Sequence, residues 1–192
     1  KTAYIRIDSS NRPLNYFPDK ERKIWNNQKN SNYEKGTAID GLSVDETLSL
    51  LNYSAYFSLT KQPLPSDKEK FIQKMVQDKL VQKKLDKDYS ITNLGALLFA
   101  NKLNDFDSVK RKSVRVIMYK GDDRNIRIKE QEDTKGYAYG WEGLIEYIND
   151  KLPYNEEITK ALRREEKMYP EIAIREFIAN ALIHQDLAIN GT

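Results

Sequence analysis

Apolar residues in this chain never keep one spacing for long. In some segments they recur every three or four positions, in others every second position, and the runs end at prolines, glycines or polar clusters. A pattern with helical period cannot lie as a strand, nor a strand pattern as a helix. The alternation predicts an α+β fold of short helices and short strands. No internal repeat or low-complexity tract interrupts it.

Along the chain, Tyr4-Ile5-Arg6-Ile7 alternates like a short strand, and residues 8–13 read as a turn or loop. Residues 15–33 are polar with scattered aromatics, irregular apart from a short helix near Asp19–Trp25. Ser43 opens a helix, because Glu46 three residues on completes a capping box; Leu48, Leu51 and Tyr56 supply its apolar stripe, and Pro63 and Pro65 end it. Ser66 with Glu69 predicts a second capped helix carrying Phe71, Ile72, Met75, Val76 and Leu80. Leu85 and a polar turn over residues 86–88 follow, then Tyr89–Thr92. Residues 93–100 are short and very apolar, and periodicity alone does not separate helix from buried strand. Val114, Val116 and Met118 alternate as a strand. Gly121-Asp122-Asp123 reads as a turn, and Ile126 and Ile128 begin a partner strand, so a hairpin is expected. Residues 139–152 form an amphipathic helix with Trp141, Leu144, Ile145, Ile148 and Leu152 on one face, stopped by Pro153. A last helix starts near Pro170 and is apolar on most sides, which predicts burial in a larger core.

Composition narrows the chemistry. The 192 residues include no cysteine, which removes disulfides, thiolate zinc sites and cysteine nucleophiles. A single histidine, His184, leaves no multi-histidine metal site. Lacking cysteine fits a reducing, cytoplasmic setting. With 32 basic and 29 acidic residues the net charge is +3, which permits a nucleic-acid partner without requiring one. No apolar run is long enough to span a bilayer, and no membrane partner is expected. Lys1 at the start and Asn190-Gly191-Thr192 at the end read as cuts through a longer protein.

The most informative stretch is Tyr169–Asp186. Glu176, Asn180 and His184 are four residues apart, so they share one helical face. A polar row on an otherwise apolar helix costs stability unless it meets partners or a ligand. A carboxylate can orient an attacking water, and a carboxamide oxygen can ligate Mg²⁺. The plainer alternative is a row that faces solvent or caps neighbouring loops.

Tyr169-Pro170, Arg175-Glu176, Asn180-Ala181, His184 and Asp186 together resemble the asparagine box of the GHKL (Bergerat-fold) ATPases, in the divergent form carried by Schlafen-related regulators. Gln185 and Leu187 depart from that pattern, which has arginine and tyrosine there. The resemblance implies that Glu176 is the catalytic base and Asn180 the Mg²⁺ ligand, with His184 and Asp186 also at the nucleotide. It implies ATP and Mg²⁺ as ligands of the full-length protein and none for these residues alone, because the aspartate-glycine box and glycine-rich lid of the family would come later in the chain. Tyr4–Ile7 with Ser9-Ser10-Asn11-Arg12 is similar to the end of an AlbA-type domain found in the same regulators, although Asp8 stands where glycine is common. Ser90–Phe99 and Gly121 fit the family order.

Basic clusters give the nucleic-acid alternative. Arg6 and Arg12 could meet phosphates, as could Lys110, Arg111 and Lys112 with Arg115. The lysines of residues 66–98 are interleaved with aspartate and glutamate, which favours a solvated face over a steering field. The expectation is a fragment of an ATP-binding transcriptional regulator, enzymatically incomplete alone. Residues 1–36 would be the end of an AlbA-like domain and linker, 37–100 a helical, winged-helix-like part, 101–168 a small sheet with a packed helix, and 169–192 the first helix of a GHKL-like domain lying against that sheet. The competing readings are a nucleic-acid-binding module, with DNA as partner, and a protein-interaction or dimerisation segment.

Overall fold

The computed structural model describes residues 3–7, 9–30, 33–84, 88–120, 126–158, 163–187 and 189. It is an α+β protein built from helices and small antiparallel sheets.

The first strand, β1 (Tyr4–Ile7), pairs with β2 (Ser10–Pro13), placing Arg6 opposite Asn11 and Ile5 opposite Arg12. Residues expected to be loop thus return as a strand, since Pro13 at the end of an edge strand gives up no ladder bond. The region read as irregular holds a helix, α1 (Pro18–Asn30), longer than the short one expected. Pro18 suits the first turn, and Asp19 and Glu21 face the positive end of the helix dipole.

The core begins at β3 (Thr37–Leu42). Ser43 caps α2 (Val44–Leu50), and the capping box with Glu46 forms as expected. The helix does not run on to Pro63. It breaks at Leu51, and Asn52 caps a separate helix, α3 (Tyr53–Leu59), by accepting from the Ala55 amide. The next helix, α4 (Lys68–Gln77), is capped by Asp67 and not by Ser66. Both α3 and α4 end in a left-handed lysine, Lys61 at φ 54° and Lys79 at φ 61°. The following amides reach back to the Phe57 and Met75 carbonyls, a Schellman closure made without glycine.

Strands β4 (Val81–Lys83) and β5 (Tyr89–Thr92) follow, in the antiparallel order β3-β5-β4. A leading strand and three helices thus precede a hairpin whose inner strand pairs with the leader. The turn expected at residues 86–88 lies mostly outside the described residues. Thr92 ends β5 and caps α5 (Asn93–Phe99), accepting from the Gly95 amide while its hydroxyl meets the Lys79 and Leu80 carbonyls. The ambiguous apolar run is therefore a helix. Its buried residues join Leu51, Tyr56, Phe57, Ile72, Met75, Val81 and Ile91 in the core, and Leu103, Phe106 and Val109 extend that core past residue 100.

The expected hairpin forms from β6 (Val114–Tyr119) and β7 (Arg127–Asp133), with Ile117 opposite Glu130. The Gly121-Asp122-Asp123 turn lies outside the described residues. Helix α6 (Tyr137–Lys151) docks on the core: the Gly136 amide donates to the Ala100 carbonyl, and Leu144 and Ile145 are buried. A second hairpin, β8 (Tyr154–Ile158) with β9 (Arg163–Lys167), occupies a stretch where the sequence suggested no element. The last helix, α7 (Glu171–Ile183), starts after Pro170 as expected, but no residue in it is buried. It packs against α6, and the chain after it reaches Lys112, just before β6. No helix among the described residues is long and apolar enough to cross a membrane.

Candidate functional site

Among the described residues, two places bring chemistry-bearing residues together, and both involve α7 or the chain just after it. The first is its outward face. The Arg175 guanidinium clamps α7 to α6, donating to both carboxylate oxygens of Glu142 at 2.8 and 2.6 Å while lying 5.8 Å from the Trp141 ring centre. The bidentate bond holds the Glu142 carboxyl below its ordinary range and raises the Arg175 guanidinium further. Ile174, Ile178 and Leu182 share the half-covered side with Arg175. At 100° per residue the opposite side then carries Glu176, Asn180 and His184 along its centre. All three are exposed, and the Asn180 amide donates to Glu176 Oε1 across 3.3 Å. His184 closes the helix, its backbone N–H donating to the Asn180 carbonyl.

Around that polar row the face is apolar. Ile172 is 74% exposed, Phe177 79% and Ile183 73%. The helix is thus apolar on most sides, as the sequence indicated, yet the apolar side chains border the polar row in the open and do not fill a core.

Asp186 is not part of this row. With Gln185 and Ile189 it lines the second place, an open cleft of about 1170 Å³ walled also by residues 110–113 and floored by the β6–β7 hairpin. Alternation along β6 puts Arg115, Ile117 and Tyr119 on the cleft side, beside Glu132, Glu130 and Arg127 of β7. The other side of the ribbon meets α6, where the Lys129 ammonium stands over the Tyr147 ring.

The basic trio of residues 110–112 separates into three environments. Lys110 pairs with Asp107 at 2.7 Å. Arg111 is exposed, with no hydrogen-bond or ion-pair partner among the described residues. Lys112 is 7% exposed: its ammonium donates to the Ile189 carbonyl and sits 5.7 Å from the Tyr33 ring centre. Burial lowers the Lys112 pKa, and the Asp186 charge opposes part of that shift. The Lys112 carbonyl accepts from Tyr137, whose oxygen accepts from Gln185. Tyr33 in turn donates to the Ser108 carbonyl, and Ser108 to Asn93 at the start of α5. A continuous polar network therefore ties the tail of α7 to the core. Sequence reasoning missed this role, since Lys112 reads as one more member of a basic run. Arg6 and Arg12 stand exposed on the β1–β2 hairpin, and neither lines the cleft.

Comparison of the chain with protein-family models, with curated proteins and with solved structures finds no match.

Proposed function

We propose that the chain is part of an ATP-binding transcriptional regulator of the cytoplasm, with α7 as the helix that faces the nucleotide. The observation that carries this reading is the Glu176–Asn180 pair, hydrogen-bonded one turn apart in the middle of an open face bordered by Ile172, Phe177 and Ile183. Such a face is suited to a ligand or a covering segment and not to bulk water alone.

The donor set fits Mg²⁺ in type. Magnesium takes oxygen ligands and is usually held by one or two protein groups plus phosphates and water. Because the Asn180 nitrogen donates to Glu176, its Oδ1 is left for a cation, and Glu176 keeps a second carboxylate oxygen to accept a proton from water. Mg²⁺ held by Asn180 would supply positive charge to offset that of the ATP phosphates. The side chains of Ile172, Phe177 and Ile183 would exclude water around the row. His184 closes the helix end next to it. Asp186, on the cleft side beside Lys112, acts on this reading by fixing the end of α7 and not by touching nucleotide.

Calorimetric titration with Mg²⁺-ATP tests the proposal, run on the 192 residues and on the whole gene product. Binding by the whole protein that disappears in Asn180→Ala supports it. A whole protein that does not bind Mg²⁺-ATP removes it.

The exposed apolar border of α7 favours one other reading, self-association through that face. Sedimentation at several concentrations separates the two: mass that rises with concentration and is reduced by Phe177→Ser supports an interaction segment.

A further inference from the structure

The cleft over the β6–β7 hairpin is independent of the α7 face and of any nucleotide. Five basic and three acidic side chains line it. Lys112 is consumed by the Ile189 carbonyl, and Lys110 by Asp107. Arg111 has no partner among the described residues. Arg115 and Arg127 share a single carboxylate, Glu130, at 3.6 and 2.8 Å. Glu132, opposite Arg115, is engaged by the Ser113 hydroxyl, so among the described residues the two guanidiniums have one ion-paired carboxylate between them. Exposed ion pairs of this kind exchange partners at little cost, because solvent screens them and holding long side chains in place opposes them. An anion with more oxygens than Glu130 offers can therefore take both arginines.

The floor between the arginines is Ile117 and Tyr119. Their alternation on β6 places a flat aromatic ring and an apolar side chain on the same face as Arg115 and Arg127. Backbone-tracking cations beside an aromatic platform are what an unpaired base with its phosphates requires. A duplex presents phosphates but no free base face for Tyr119 to stack on.

We propose that this cleft binds single-stranded nucleic acid, with Arg111, Arg115 and Arg127 on successive phosphates and Tyr119 stacked on a base. Lys112 takes no part, and Glu130 acts as an internal competitor that occupies the arginine pair when the cleft is empty.

The test is fluorescence anisotropy with fluorescein-labelled dT20, rU20 and a 20-base-pair duplex, without ATP or Mg²⁺, so that failure of the nucleotide reading leaves it unaffected. The two single strands should bind. The duplex should bind at least about tenfold more weakly. Each of Arg111→Ala, Arg115→Ala and Arg127→Ala should weaken dT20 binding roughly threefold to tenfold, and the slope of log K against log salt should fall by about 0.7 per arginine removed. Glu130→Gln should tighten binding more than Glu132→Gln does, because the second removes the same charge without freeing the arginine pair. These side chains are exposed, and circular dichroism verifies that each variant folds. Comparison of dT20 with rU20 assigns the preferred sugar. Wild-type affinity in the triple arginine variant, weaker binding in Glu130→Gln, or a duplex bound as tightly as dT20 overturns the proposal.

Discussion

The Tyr56 phenol donates to the Asp78 carboxylate across 2.6 Å, joining α3 to the residue that ends α4. The ring is almost fully buried and stacks edge-on against Phe57 and Phe99, while the hydroxyl reaches the surface carboxylate. Burial first, and then Asp78, push the phenol pKa from its ordinary 10.0 up to about 12. Tyr56→Phe keeps the ring packing and loses a charge-assisted bond, so urea unfolding at pH 7 should show a loss of about 1–2 kcal/mol. The pH dependence has a definite sign. A pKa raised on folding means the protonated phenol favours the folded state, fully below pH 10. That contribution fades as pH climbs through about 12. Wild-type stability should fall faster than that of Tyr56→Phe over this window in denaturant titrations.

Lys79 holds a left-handed backbone at φ 61° to close α4. A side chain there is strained relative to glycine, which is the usual residue at such a helix end. Lys79→Gly should raise the urea midpoint, by about 1 kcal/mol of stability, with no change in slope.

Gly95 is needed for packing and not for conformational freedom. A Cβ there would sit 2.2 Å from the Leu80 carbonyl oxygen, which itself accepts from Thr92. Backbone cannot yield as a flexible side chain can. Gly95→Ala should cost roughly 3 kcal/mol in thermal or urea unfolding.

Lys112→Met keeps the bulk of the buried stem and removes the bond to Ile189. Hydrogen exchange should speed roughly tenfold or more at Gln185–Leu187 and hardly change within α4. Equal protection in both variants would remove Lys112 as the tie between the tail and the core.

Asn180→Ala touches one exposed side chain bonded only weakly, at 3.3 Å, to Glu176. Stability should stay within about 0.5 kcal/mol of wild type. Loss of Mg²⁺-ATP binding by the whole gene product at unchanged stability would then report function alone.

Local chemistry explains which elements were legible. The Ser43–Glu46 box needs only residues three apart, and it forms where the sequence puts it. The stripes of α4 and α6 and the alternation of β6 are likewise local. At Ser66 the same rule points one residue early, because Asp67 offers a charged acceptor closer to the first free amides. The β8–β9 hairpin carries charged runs with no alternation, so only cross-strand pairing defines it.

By itself the sequence determined an α+β fold, a chain without thiol chemistry, and a helix whose Glu176, Asn180 and His184 fall on one face. These follow from spacing along a single element and from residue inventory. Tertiary structure decided what each residue faces. It buried Lys112 against the Ile189 carbonyl while its neighbour Arg111 stays exposed with no partner among the described residues, and it set Asp186 apart from the row it follows in sequence. It also turned one face of β6–β7 into the floor of a cleft. Those outcomes depend on contacts between residues far apart along the chain. Such contacts are fixed by how helices and hairpins pack, a relation that no local repeat in the sequence encodes.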